Sequence, residues 1–122
     1  MMSEKFSLLA RFKSFKFAFK GLRLAIRDEH NFKVHPFAAA LVITLGFYFG
    51  ITTAEWLWAV VAIAMVMTAE LFNSAIEKLV DLVSPGHNHK AGAIKDIAAA
   101  AVLIATIAAA IIGVIIFYPY IF

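Results

Sequence analysis

The feature that most constrains this chain is the length of its uncharged apolar segments. No charged residue occurs from Ile97 to Phe122, and the segment between Lys33 and Glu55 has only His35 and Tyr48 as titratable side chains. About 20 apolar residues are enough to cross the roughly 30 Å hydrocarbon core of a bilayer. Because 63% of the 122 residues are hydrophobic, a water-soluble fold is disfavoured. We expect an all-α integral membrane protein.

Three segments are long and apolar enough to be membrane spans. Breaks fall at Gly50 to Glu55 and at Ser84-Pro85-Gly86, and the residues from His87 to Gly92 form a polar stretch typical of a loop. We therefore predict spans at about residues 34–52, 56–83 and 94–118, within a single membrane-embedded domain that covers residues 1–122.

The N-terminal segment, at about residues 6–30, has the period of an amphipathic helix. Its apolar side chains recur every three or four residues, and its lysines and arginines do the same along an adjacent stripe. The apolar stripe consists of Leu8, Phe12, Phe15, Phe19, Leu22 and Ile26. Such a helix suits the membrane surface. The simpler interpretation is that the cations anchor the helix to the charged membrane surface. The more specific interpretation is that some of them contact a phosphorylated ligand.

The distribution of lysine and arginine predicts the orientation in the membrane. These residues are concentrated before the first span and around the loop between the second and third, whereas the Gly50 to Glu55 turn and the C-terminus have none. Cytoplasmic loops are enriched in Lys and Arg. We therefore expect a cytoplasmic N-terminus and an external C-terminus.

The second predicted span carries four polar side chains on one face. These are Glu70, Asn73, Glu77 and Asp81. At about 100° per residue they fall within about 80° of one another around the helix, so we call them the polar stripe. Each ionisable group costs about 2.5 to 3.5 kcal/mol to insert into a membrane. Counting back from Ser84 at about 1.5 Å per residue places Glu70 roughly 20 Å inside the bilayer.

Three carboxylates on one stripe repel one another unless cations, a metal ion or protons neutralise them. The predicted topology brings Glu29, Lys95 and Asp96 to the same cytoplasmic level. Oxygen ligands in a chain without cysteine favour a hard ion, Mg²⁺ before Zn²⁺. A polar clamp between helices, or a proton pathway, accounts for the spacing equally well. No glycine-rich phosphate-binding motif is present.

The segment from Ala69 to Asp81, Ala-Glu-Leu-Phe-Asn-Ser-Ala-Ile-Glu-Lys-Leu-Val-Asp, closely resembles the signature of the prokaryotic diacylglycerol kinase family. The members of this family are small membrane lipid kinases. The resemblance covers nearly the whole chain, because it extends to residues 20–23, Glu29, Phe32, Lys95-Asp96 and the apolar run at 100–104. Residues 11–15, 29–35 and 112–119 look more like the undecaprenol kinase branch.

The resemblance implies a homotrimer of three-span subunits in the bacterial inner membrane. It implies transfer of the γ-phosphoryl group of ATP to a lipid alcohol, with Mg²⁺ as cofactor. On matching positions, Glu70 would be the general base, and Glu29 and Glu77 would be the metal ligands. The nucleotide-binding positions would be Arg11, Glu29, Glu77, Gly86, His87, Lys95 and Asp96. The lipid-binding positions would be Arg23, Phe32, Lys33 and Glu70, with Asn73 and Asp81 in supporting roles.

Several alternatives remain at this stage. Undecaprenol is the favoured lipid, and diacylglycerol, which would give phosphatidic acid, is the alternative. A small proton-coupled transporter would use Glu70 as a proton site, but it leaves Glu29 and the Lys95-Asp96 pair without a role. A structural membrane subunit would leave the polar stripe without a purpose. The expected partners are ATP, the lipid alcohol and the lipid bilayer. No nucleic-acid partner is expected.

Overall fold

The described part of the chain is helical almost throughout. The computed structural model describes residues 7–28 and 34–122, and within them the helices are α1 (Leu8–Asp28), α2 (Val34–Phe49), α3 (Thr53–Val83) and α4 (His89–Ile121). No strand occurs in these ranges, so the all-α prediction is confirmed. Glu29, Phe32 and Lys33, which the sequence analysis assigned to the site, lie outside the described residues.

Two of the described helices, α3 with 31 residues and α4 with 33, are long and apolar enough to cross a membrane by length and composition. The apolar helix α2 has 16 residues, which corresponds to roughly 24 Å along its axis. It is shorter than the predicted first span, and its crossing of the membrane stays a prediction.

The turn between α2 and α3 is closed by local hydrogen bonds. Gly50 has a φ of +63°, which a glycine adopts without strain, and the N–H of Ile51 donates to the carbonyl of Gly46 at 3.1 Å. Thr52 then caps α3 in a capping box with Glu55. These bonds end α2 and begin α3 within three residues.

The beginning of α4 differs from the prediction. Residues 89–92 were expected in a polar loop, but α4 begins at His89. The reason is Asn88, whose side-chain oxygen accepts from the backbone N–H groups of Lys90 at 2.8 Å and Ala91 at 3.2 Å. Asparagine is a strong N-cap residue because it satisfies such donors. The helix therefore starts about one turn earlier than composition indicated.

The helices pack most tightly at the end of the molecule that contains the α2–α3 turn. Ile51, Ala59, Ile116 and Phe117 are buried there. The hydroxyl of Tyr120 donates to the carboxylate of Glu55, which ties the end of α4 to the first turn of α3. At the opposite end, α1 contacts α3, and most of its apolar side chains are exposed; Phe12 is 70% exposed.

Candidate active site

The polar stripe of α3 meets α2 at Glu70. The Oε1 atom of Glu70 lies 2.8 Å from Nε2 of His35. Both side chains are mostly buried, with 18% of His35 and 13% of Glu70 exposed. His35 lies in the first turn of α2. The deepest carboxylate of the stripe therefore has an imidazole from another helix as a direct partner.

This contact places Glu70 level with a defined part of α2. The segment of α3 from Thr53 to Glu70 is roughly 26 Å long, close to the roughly 24 Å of α2. Glu70 is thus level with the beginning of α2, and the rest of α3 runs past it. The depth of roughly 20 Å inside the bilayer, counted from Ser84, stays a prediction.

Asn73 and Glu77 form the next part of the stripe. The side-chain amide of Asn73 donates from Nδ2 to Oε1 of Glu77 at 3.2 Å. The Oδ1 atom of Asn73 is buried and accepts no hydrogen bond from any residue that the structure describes. A buried carbonyl oxygen without a partner is costly. A hard cation held beside Glu77 would satisfy it.

The described residues do not themselves complete a metal site. Among residues 7–28 and 34–122, no group of three or more His, Cys, Asp or Glu side chains is placed to hold a metal ion. Two oxygen donors fit such an ion, the unpartnered oxygen of Asn73 and the carboxylate of Glu77. Glu29, the other predicted ligand, lies outside the described residues.

Asp81 meets α4 at the far end of the stripe. Its Oδ1 accepts from Nζ of Lys95 at 2.6 Å, so Lys95 supplies one of the positive charges that the three carboxylates require. The side chain of Asp81 is 63% exposed and that of Lys95 is 36% exposed. The pair therefore lies on the exposed surface near the loop between α3 and α4.

A second ion pair ties α1 to the same region. Nζ of Lys78 lies 3.5 Å from Oδ2 of Asp28. The guanidinium of Arg27 donates to Asp28 at 2.9 Å and holds the pKa of that carboxyl below its ordinary value, with a smaller contribution from Lys78. The end of α1 is thereby held beside α3.

An apolar groove of about 250 Å³ runs between α2, α3 and α4 from His35 to Phe117. Its walls include many small side chains, such as Ala38, Ala62 and Ala109. His35 lines the groove and also contacts Glu70, so one side chain connects the groove with the carboxylate. A hydroxyl held at Glu70 could therefore carry a hydrocarbon chain along an apolar surface.

The other predicted site residues lie around this centre. Gly86 and His87 are exposed between α3 and α4, and Asp96 is exposed in the second turn of α4. Arg11 and Arg23 are exposed on α1. The hydrogen bonds and ion pairs described above join Glu70 to His35, Asn73 to Glu77, and Asp81 to Lys95.

His35 is the residue that the sequence analysis missed. It was noted only as a titratable group at the start of the first apolar segment. An ionisable residue at the end of a membrane helix calls for a named partner, and this signal was available in the sequence. The arrangement as a whole offers a base at the edge of an apolar groove, and oxygen donors and a cation in the more polar region beyond it.

Comparison with known proteins gives consistent matches over most of the chain. The family model described as prokaryotic diacylglycerol kinase matches residues 16–117. The chain is 40% identical over 108 residues to an undecaprenol kinase from Bacillus subtilis (strain 168), with 88% of each chain covered. It is 35% identical to a diacylglycerol kinase from Haemophilus influenzae, over 75% of this chain and 78% of the relative. It is 31% identical to a diacylglycerol kinase from Escherichia coli (strain K12), with 88% of each chain covered.

Proposed function

This chain belongs to the prokaryotic diacylglycerol kinase family and is a membrane lipid kinase, and from that premise we propose that it phosphorylates undecaprenol. The observation that carries the choice of lipid is the higher identity to the undecaprenol kinase than to the two diacylglycerol kinases. Diacylglycerol remains the alternative acceptor.

In the proposed reaction, Glu70 acts as the general base. The lipid hydroxyl attacks the γ-phosphorus of ATP, the bond from that phosphorus to the bridging oxygen breaks, and ADP leaves. The hydroxyl proton passes to the carboxylate of Glu70. Support comes from His35, which contacts Glu70 and also lines the apolar groove, so that an acceptor can keep its chain among apolar side chains while its hydroxyl reaches the base.

We assign the binding of Mg²⁺ to Glu77 and Asn73, together with Glu29. The unpartnered buried oxygen of Asn73 beside the Glu77 carboxylate supports the first two, and the family resemblance supports Glu29. When bound, Mg²⁺ neutralises charge on the phosphate oxygens of ATP. Asn73 keeps Glu77 in place by donating to one of its oxygens, and Asp81 keeps Lys95 in place by accepting a hydrogen bond from its ammonium group.

The remaining predicted residues are assigned by family position. Lys95, Asp96, Gly86, His87 and Arg11 are proposed to contact the nucleotide, and Arg23, Phe32 and Lys33 the lipid. Three spans, a cytoplasmic N-terminus, an external C-terminus and a homotrimer belong to the same proposal. The exposed apolar side chains of α1 support its placement on the membrane surface.

The test is phosphate transfer from labelled ATP to undecaprenol and to diacylglycerol, side by side, in mixed micelles with purified protein. We expect stronger labelling of undecaprenol, and loss of labelling when EDTA removes Mg²⁺. Preference for diacylglycerol would overturn the choice of acceptor and keep the kinase mechanism. Full activity in EDTA would overturn the role of Mg²⁺.

A further inference from the structure

We propose that His35 is a positioning residue for the reaction, which holds one oxygen of the Glu70 carboxylate so that the other faces the lipid hydroxyl. The inference rests on the proposed role of Glu70 as the base. It assigns to α2 a function in the chemistry, in addition to its place in the membrane.

The geometry of the pair carries the proposal. The contact of 2.8 Å between Nε2 of His35 and Oε1 of Glu70 is a hydrogen-bond distance for a nitrogen donor and a charged acceptor. Only 18% of the His35 side chain and 13% of the Glu70 side chain are exposed. Water therefore has little access with which to compete for this bond, and the carboxylate has a fixed partner on one side.

The direction of the hydrogen bond follows from the chemistry of the two groups. An ionised carboxylate can only accept, so the imidazole must donate from Nε2. The bond occupies a lone pair of Oε1 and restrains rotation of the carboxylate about its last bond. Oε2 is then the oxygen left to take the hydroxyl proton. A general base that is held in orientation avoids the loss of rate that follows a misplacement of about 1 Å.

The location of His35 fits this role. It lies in the first turn of α2, immediately before Pro36, whose ring restricts the backbone of the helix start. His35 also lines the apolar groove. The same side chain therefore contacts both the base and the surface along which an acceptor chain would lie, so a change at His35 should affect turnover more than nucleotide binding.

The first experiment tests whether His35 positions the Glu70 carboxylate or only holds α2 against α3. Purified His35→Gln and His35→Leu variants are assayed with the lipid that the wild type labels more strongly, with His89→Gln and His89→Leu as matched controls on the exposed first turn of α4. We expect His35→Leu to lower kcat about 10- to 100-fold with the KM for ATP unchanged. Glutamine keeps an N–H donor, so His35→Gln should restore most of the rate. Equal losses in both His35 variants, or wild-type rates in both, would overturn the proposal.

A second measurement tests the contact without any turnover. The chain has four histidines, so ¹⁵N-labelled imidazole signals can be assigned by substitution. Glu70→Ala should move the Nε2 signal of His35 and leave the signal of His89 in place. An unmoved His35 signal would overturn the inference even if the kinase proposal holds. Failure of the wild type to label undecaprenol would instead count against the proposed acceptor alone.

Discussion

At the scale of single residues, the carboxylates of α3 are distinguished by what each one contacts. Glu70 faces an imidazole, Glu77 faces a side-chain amide, and Asp81 faces an ammonium group. Only the environment of Glu77 contains a buried oxygen that lacks a partner among the described residues. The three acids on one stripe therefore have different partners, and each can be removed separately.

Glu77→Gln should weaken the use of Mg²⁺. The change removes a charged oxygen ligand next to Asn73, so the Mg²⁺ concentration that gives half-maximal activity should rise about 10-fold or more. A titration of activity against Mg²⁺ at saturating lipid measures this. Glu55→Gln, at the opposite end of the same helix, is the matched control and should leave the titration midpoint unchanged. An unchanged midpoint in Glu77→Gln would contradict the assignment.

The stripe itself could be predicted from the sequence because helical periodicity fixes which side chains share a face. The partners could not be predicted in the same way. His35 and Glu70 are far apart in the chain, and their contact depends on the length of α2 relative to α3. Spacing within one helix carries no information about that register.

At the scale of elements, the ends of the helices depend on single capping residues. Asn88 starts α4 at His89, and Gly50 ends α2. Both breaks follow from the sequence, but the predicted start of α4 is too late, because the polar composition of His87 to Gly92 obscures the capping signal of Asn88. The existence and type of each described helix followed from apolar period and length.

The packing of Trp56 against α2 requires a glycine at position 46. A Cβ atom there would lie 2.5 Å from Cη2 of Trp56, so the indole ring would have to move. Gly46→Ala should lower the free energy of unfolding by about 1 to 3 kcal/mol, measured by thermal or detergent unfolding.

Gly92→Ala is the matched control for this substitution. A Cβ atom at Gly92 meets nothing within 4 Å, and alanine is the better helix former by about 0.5 to 1 kcal/mol. The control should therefore unfold no earlier than the wild type. If the two variants were equally stable, the close approach of Trp56 to α2 would be contradicted.

At the scale of the whole molecule, the unequal lengths of the helices separate an apolar end from a charged end. The end that contains the α2–α3 turn has an apolar core, whereas α3 and α4 extend beyond the start of α2 and carry Glu77, Asp81 and Lys95 on that extension. A carboxylate at the level where α2 begins and charged groups beyond it suit the proposed reaction between a lipid and a water-soluble nucleotide. The apolar segments and the polar stripe could both be predicted from the sequence. The position along α3 at which the start of α2 meets the stripe could not.

The orientation in the membrane can be tested because the chain contains no cysteine. The Thr53→Cys variant introduces a single thiol at the start of α3, and the Lys90→Cys variant introduces one at the start of α4. With a membrane-impermeant maleimide, we expect Thr53→Cys to react in intact spheroplasts and Lys90→Cys to react only after permeabilisation. The reverse pattern would contradict a cytoplasmic N-terminus.

The most direct measurement of the central claim is the rate of lipid phosphorylation by purified Glu70→Ala protein, with ATP and Mg²⁺ at saturation and wild-type protein alongside. The account predicts a fall in kcat of about 100-fold or more, with the elution volume and helix content of the wild type. Near-normal phosphorylation by this variant would contradict the role of Glu70 as the general base.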